Sequence, residues 1–309
     1  MVTALENLLF PVKIAPISEE LGINSISSTE FGIFANINGE AKSTLLNVCS
    51  DIYELVENDK IFPAIEEILR TAGIEFDVTY KMIDFSRFYA DYTLKVGGVS
   101  VGNRKDKIFP IIRVTHSYNG LLKYKITFGW FRLICTNGLV VPVEGKEEQN
   151  ISIVGKHTKQ ILQSLETLLD KIKTFTKNTD KYTEKFEVMA DRSVKNWEDR
   201  IIEVMAASGV GKRGFTQITE RINFESDKLY DGKVNDWLLY NGFNYHIFNA
   251  VTKEGKPYDT APNLRHDQDR KVFDTLFKNK GIALTRLVDE KFADEKEALV
   301  KVIYGGEDE

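Results

Sequence analysis

Cysteine is scarce: the 309 residues include only Cys49 and Cys135, far apart and in unlike contexts. Neither a disulfide framework nor a thiolate zinc site fits such a pair, and a reducing cytoplasm is the expected compartment. Long apolar runs are missing too. No segment approaches the roughly 18 apolar residues of a membrane span, so no membrane partner is expected. Met1 to Pro16 lack a basic stretch followed by a continuous apolar one, which argues against a secretory signal. The four histidines (His116, His157, His246, His266) show no zincin spacing, and no CxxC occurs. No metal or cofactor is expected.

Enzyme signatures are equally thin. The carboxylate pairs Glu19-Glu20, Glu66-Glu67 and Glu147-Glu148 fall on caps, solvated faces and loops, where they read as surface charge rather than glycosidase chemistry. Cys135, beside Asn137, lies on the apolar side of an expected strand, where a thiol is desolvated and inert. The expectation is a protein that works by binding.

What is present is an ordinary globular composition, 42% hydrophobic and 28% charged, with enough aromatics for a core. Asn58 to Gly73 reads as a helix. Asn58 or Asp59 can cap it, Pro63 is placed in the first turn, and Ile61, Ile65, Ile68 and Leu69 form its stripe. Strict alternation follows, with Ile74, Phe76, Val78, Tyr80 and Met82 on one side of a strand. In a second such run, Phe88, Ala90, Tyr92, Leu94 and Val96 form the face expected to be buried; Arg87, Tyr89, Asp91, Thr93 and Lys95 form the other. A strand from Lys107 to His116 comes next, and Asn119-Gly120 closes a hairpin into Leu121 to Cys135. In that last strand the apolar phase shifts at Gly129 from Trp130 to Phe131, Leu133 and Cys135, predicting a bulge or bend. The loop from Val143 to Asn150 is acidic and expected to be exposed.

From His157 the period is helical. Ile161, Leu165, Leu168, Leu169, Ile172 and Phe175 recur at three- and four-residue steps. Further helices are expected near 181–190, 193–207, 216–224, 234–248, 267–278 and 285–303. The fold class is therefore α+β, an antiparallel sheet in the N-terminal half followed by a mostly helical C-terminal half. The expected domains are a strand-rich one over 1–150 and a helical one over 151–309 packed on it.

Several stretches together resemble the phage/plasmid-like domain-of-unknown-function family 932. The most specific is the run from Gly129 to Val141, GWFRLICTNGLVV; Tyr53 to Asn58, Ser117-Tyr118-Asn119-Gly120, Trp237 to Asn241, and Asn249-Ala250 add to it. Members of that family commonly carry Ser-His-Asp-Gly at the hairpin, whereas Tyr118 and Asn119 fill the middle positions here, and His116 lies upstream. The resemblance implies a mobile-element setting in a bacterial host and no established activity.

Charge distribution gives the functional lead. The chain carries a formal net charge of −5, yet Lys81 to Arg132 holds ten basic residues against the acids Asp84, Asp91 and Asp106. If the strands pair as neighbours, Arg87, Tyr89 and Lys95 share a face with Lys107, Phe109, Arg113, Lys123 and Lys125. Cations interleaved with aromatics hold single strands by neutralising phosphates and stacking bases. Arg104 and Lys105 extend this basic segment. Lys212 and Arg213, in the glycine-rich Ser208 to Gly214 stretch, could meet phosphate, although the Walker spacing is absent. Trp237, Tyr240, Asn241, Asn244, Tyr245 and Phe248 fall on one side of a helix and suit a core, with the buried amides bonded to the sheet domain.

Two functional expectations stand. One is a non-enzymatic nucleic-acid-binding accessory protein, single-stranded DNA favoured, serving recombination or replication. The other is a protein-interaction module, such as a phage inhibitor of a host defence system. A homo-oligomer is compatible with both.

Overall fold

The alternating segments fold as antiparallel strands and the later ones as helices in the computed structural model of the chain. It describes residues 2–23, 30–37, 43–51, 53–102, 106–122, 124–132, 139–142, 153–155, 165–249 and 262–278. The expected acidic loop at 143–150, the helix at 285–303 and Cys135 lie outside these residues. The strands are β1 (Val2–Thr3), β2 (Val12–Pro16), β3 (Phe31–Ala35), β4 (Thr44–Cys49), β5 (Phe76–Asp84), β6 (Arg87–Leu94), β7 (Val99–Ser100), β8 (Lys107–Ser117), β9 (Tyr124–Arg132), β10 (Leu139–Pro142) and β11 (Ile153–Gly155). The helices are α1 (Ile17–Leu21), α2 (Asn58–Thr71), α3 (Leu168–Lys177), α4 (Thr179–Asp191), α5 (Trp197–Ser208), α6 (Phe215–Leu229), α7 (Asp236–Asn249) and α8 (Pro262–Phe277). This is an α+β protein, sheets first and helices after. None of the described helices is long and apolar enough to cross a membrane.

The chain divides into two compact units: Met1–Gly98, Phe109–Phe131 and Val140–Thr179 form the first; Val99–Ile108, Arg132–Leu139 and Asp180–Glu309 form the second.

In the first unit the main sheet runs β1-β5-β6-β8-β9-β10, with β11 also on β9; β2-β3-β4 make a smaller sheet. Register follows the alternation. Tyr80 pairs with Ala90 and Ala90 with Val114, so the apolar sets of three strands share one face. Phe88, Ala90, Tyr92, Leu94, Ile112 and Val114 are fully buried there, as the sequence pattern requires. Helix α2 covers this face with Ile61, Phe62, Ile65 and Leu69, each fully buried and worth about 1.5–3 kcal/mol of apolar transfer. The Phe62 ring meets Tyr80 edge-on at 5.8 Å. Helix α3 adds Phe175, whose ring lies 5.4 Å from Phe128 and 5.0 Å from Trp130.

The start of α2 departs from expectation. Glu57 occupies the cap position without a side-chain bond, and the Asn58 amide turns inward, donating to the Leu8 carbonyl (2.9 Å) and meeting His116 Nδ1 (2.9 Å). Because the helix begins at Asn58, Pro63 falls in its second turn, where proline offers no N–H to the Asp59 carbonyl.

Strand β9 departs as well. Burial stays in phase past Gly129, with Trp130 buried, Phe131 half-buried and Arg132 fully buried. The expected switch follows the apolar residues Phe131, Leu133 and Cys135; Arg132 keeps the buried phase because two acids in the second unit receive it. Asp106 takes Arg132 Nε at 2.6 Å and Nη2 at 2.5 Å, and Glu225 accepts from Nη1. Asp106 also accepts from Trp237 Nε1 (2.9 Å) and the Tyr230 hydroxyl (3.0 Å), while Arg221 bonds Glu225 at 2.5 Å. A buried charge survives only when paired and hydrogen-bonded, and this cluster satisfies that condition for both signs. Burial, followed by the charge of Asp106, pushes the Tyr230 phenol well up.

Helix α7 is buried on all sides, every residue from Asp236 to Asn244, which makes it the central element of its unit. Trp237 packs on Phe186 (4.9 Å) and Tyr240 on Phe273 (5.3 Å). The core role expected for this helix holds, and the NH2 groups of its asparagines donate within the helices of its own unit. Asn241 Nδ2 donates to the Trp237 carbonyl (2.7 Å) and Asn244 Nδ2 to Asp269 (2.8 Å).

Candidate nucleic-acid interface

The side of the main sheet opposite α2 carries the residues singled out for nucleic acid. It arises from the same alternation that builds the core. Lys81 pairs with Tyr89 and Tyr89 with Thr115, while Asp91 stands between Thr79 and Arg113. Side chains of directly paired residues lie about 5 Å apart on one face.

At the centre of this face is Tyr89. The half-buried ring has the Lys81 ammonium 5.4 Å from its centroid and the Arg113 guanidinium 5.3 Å from it. Such contacts are worth about 0.5–1 kcal/mol each at exposed sites. They hold the ring in place and concentrate positive charge around it.

The cations are partly neutralised. Arg113 grips Asp91 with two bonds, Nε at 2.6 Å and Nη2 at 2.7 Å. Arg87 bonds Asp84 through Nε at 2.7 Å and Nη2 at 2.6 Å. Lys95, exposed near the other end of the strands, meets Asp77 at 2.9 Å, a hydrogen bond that raises its ammonium above the ordinary value. Lys125 is half-buried on β9, its backbone carbonyl accepting from the Thr115 hydroxyl at 3.4 Å. So Arg87, Tyr89, Arg113 and Lys125 come together on this face, and Lys95 lies toward its edge.

The structure does not bring the remaining candidates to this face. Arg104, Lys105 and Lys123 are outside the described residues. Lys107 is exposed at the start of β8, in the second unit, as are Lys212 and Arg213 on a 3-10 turn before α6. That turn is packed from below: a Cβ on Gly214 would stand 2.5 Å from His246 Nε2. Burial lowers the His246 imidazole below its usual value.

The sequence shows Lys81 as part of the basic segment but not as a neighbour of Tyr89, because that place depends on strand register. The buried Arg132, Asp106 and Glu225 cluster was also missed, since its members are scattered along the chain and meet only in the fold.

Compared with known proteins, the chain matches the profile of "Domain of unknown function (DUF932)" over residues 45–276. No curated protein and no solved structure matches it. The matched span takes in β4 to β11 and every helix from α2 onward, nearly to the end of α8. With the larger part of its length covered, the chain belongs to the DUF932 family.

Proposed function

We propose that this protein is a non-enzymatic nucleic-acid-binding accessory factor of a phage or plasmid, and that it holds single-stranded DNA on the sheet face around Tyr89. The observation that carries the reading is the half-buried Tyr89 ring set between the Lys81 and Arg113 cations. An aromatic platform with adjacent positive charge offers any base a stacking surface and its phosphate a counterion. The arrangement favours binding without sequence readout, because a ring face accepts all four bases.

The acids on the same face set the strength. Asp77, Asp84 and Asp91 already engage Lys95, Arg87 and Arg113, so few cations are ready to release counterions. Binding is therefore weak to moderate and moderately salt-dependent. Anisotropy of a fluorescein-labelled oligothymidylate, titrated at several salt concentrations, tests this. Two to three neutralised phosphates correspond to a log–log slope of roughly −2, at about −0.7 per phosphate on a single strand. No binding at low salt removes the reading.

A further inference from the structure

At one end of the main sheet the turn from β5 to β6 and the turn from β8 to β9 stand side by side. Arg87 pairs with Ser117, and the Tyr118 amide donates to the Ser86 carbonyl at 2.7 Å, so the two tips are tied by backbone. Turn tips ordinarily carry Gly, Asn, Asp, Ser or Pro. Here Leu121 is 70% exposed, Ile83 51% and Phe85 42%.

These apolar groups sit on a braced support. The Leu121 amide donates to Asn119 Oδ1 (3.1 Å), and Ser117 Oγ donates to the Leu122 carbonyl (2.8 Å) while accepting from its amide (3.1 Å). Gly120 takes the left-handed conformation, φ +69°, that this tight path needs. Tyr118 anchors the turn to the core, its hydroxyl accepting from the Asn58 backbone N–H at 3.0 Å and its ring against Phe88 at 5.3 Å. On the other tip Phe85 leans on Phe10 at 6.2 Å. A backbone braced in this way has little entropy left to lose when its leucine inserts into a partner.

We infer that the paired tips form an apolar wedge for the end of a nucleic-acid duplex, separating or capping the last base pair where it meets the single strand on the Tyr89 face. This rests on the proposed binding reading. The occupant is argued from charge complementarity and position. Tyr89 is two residues from Arg87, about 7 Å along a strand and close to two base-stacking steps. A backbone attracted to Lys81 and Arg113 is thus led to the tip within a nucleotide or two. Inserting Leu or Phe at a base step is an established way to unstack it, at a few kcal/mol per step.

The test uses the full chain and a forked duplex with 2-aminopurine in the terminal pair, read by fluorescence, alongside anisotropy with single-stranded oligothymidylate. Wild type should brighten the probe. Leu121→Ser combined with Phe85→Ser should reduce that brightening about tenfold at matched occupancy, the scale of one lost base contact, while binding oligothymidylate as before. Both positions are exposed, and circular dichroism confirms that the variant is folded. Equal brightening by variant and wild type overturns the wedge and leaves the binding reading intact. Failure of wild type to bind any oligonucleotide overturns both. Conversion of a self-associating wild type into a monomer by the same substitutions, with brightening unchanged, makes the tip an interface between copies and also overturns the wedge.

Discussion

Arg113 and Asp91 face one another across β6 and β8, joined by two bonds of 2.6 and 2.7 Å, directly beside the Tyr89 ring. One carboxylate thereby restrains the cation best placed to meet a phosphate. Its removal should act in the direction opposite to most changes at a binding surface.

Asp91→Asn is accordingly expected to tighten oligothymidylate binding roughly two- to fivefold, the scale of a partly exposed charge interaction. It should also steepen the salt slope by about 0.7, one further phosphate. Anisotropy titrations of both proteins across a salt series check this. A weaker complex with an unchanged slope would mean that Arg113 is a structural cation only.

Arg132→Met should be among the most damaging single changes, for it leaves Asp106 and Glu225 buried with a missing counterion. Breaking one partner out of a buried pair costs about 3–5 kcal/mol. Arg132→Lys should recover only part of the loss, because an ammonium cannot reproduce the two-pronged contact with Asp106. Urea denaturation of the three proteins measures the order.

A glycine in mid-helix normally gains stability on conversion to alanine, by about 1 kcal/mol. Gly242→Ala should do the reverse. Its Cβ would stand 2.8 Å from Ile222 Cγ1 and 3.3 Å from the Ile218 carbonyl, where α6 crosses α7. Overpacking of this sort costs about 1–3 kcal/mol, so the expected thermal midpoint is lower than that of wild type.

Asp236 gives a pH signature. Burial, opposed by Arg200 and Arg192, raises its carboxyl from the ordinary 3.8 to about 6. The folded state then holds a proton more tightly than the unfolded chain. This group's contribution to stability therefore falls as pH rises from about 4 to about 6, and the penalty persists above that range. Asp236→Asn is expected to flatten that window and to raise stability at neutral pH, by an amount on the order of 2 kcal/mol. Denaturant midpoints between pH 4 and pH 7.5 settle the sign.

What could be read in advance was whatever depends on near neighbours. The stripe of α2, the alternation of β5 and β6 and the helical period of α3 are local patterns, and each formed the expected element. The small β2-β3-β4 sheet was not foreseen. Val12–Pro16 is five residues long, follows Pro11 and ends at Pro16, and its pairing with Phe31–Ala35 is made across a separate helix. The phase shift expected at Gly129 does not occur through Arg132, because hydrophobicity alone cannot foresee that Asp106 and Glu225 receive a buried arginine. Within the candidate site, the mixture of cations and aromatics was visible in the sequence. Asp91 is visible on that face as well, but the pairings of Asp77, Asp84 and Asp91 with Lys95, Arg87 and Arg113 are not, because they depend on turn geometry and strand register.

The most direct measurement compares Tyr89→Ala with wild type in oligothymidylate binding at fixed low salt. Loss of the platform should weaken the complex by about 1–3 kcal/mol, roughly five- to 150-fold, with the salt slope nearly unchanged, since a base contact and no phosphate contact has been removed. Equal affinity of the two proteins would contradict the account, because the ring between Lys81 and Arg113 would then have no part in holding a strand.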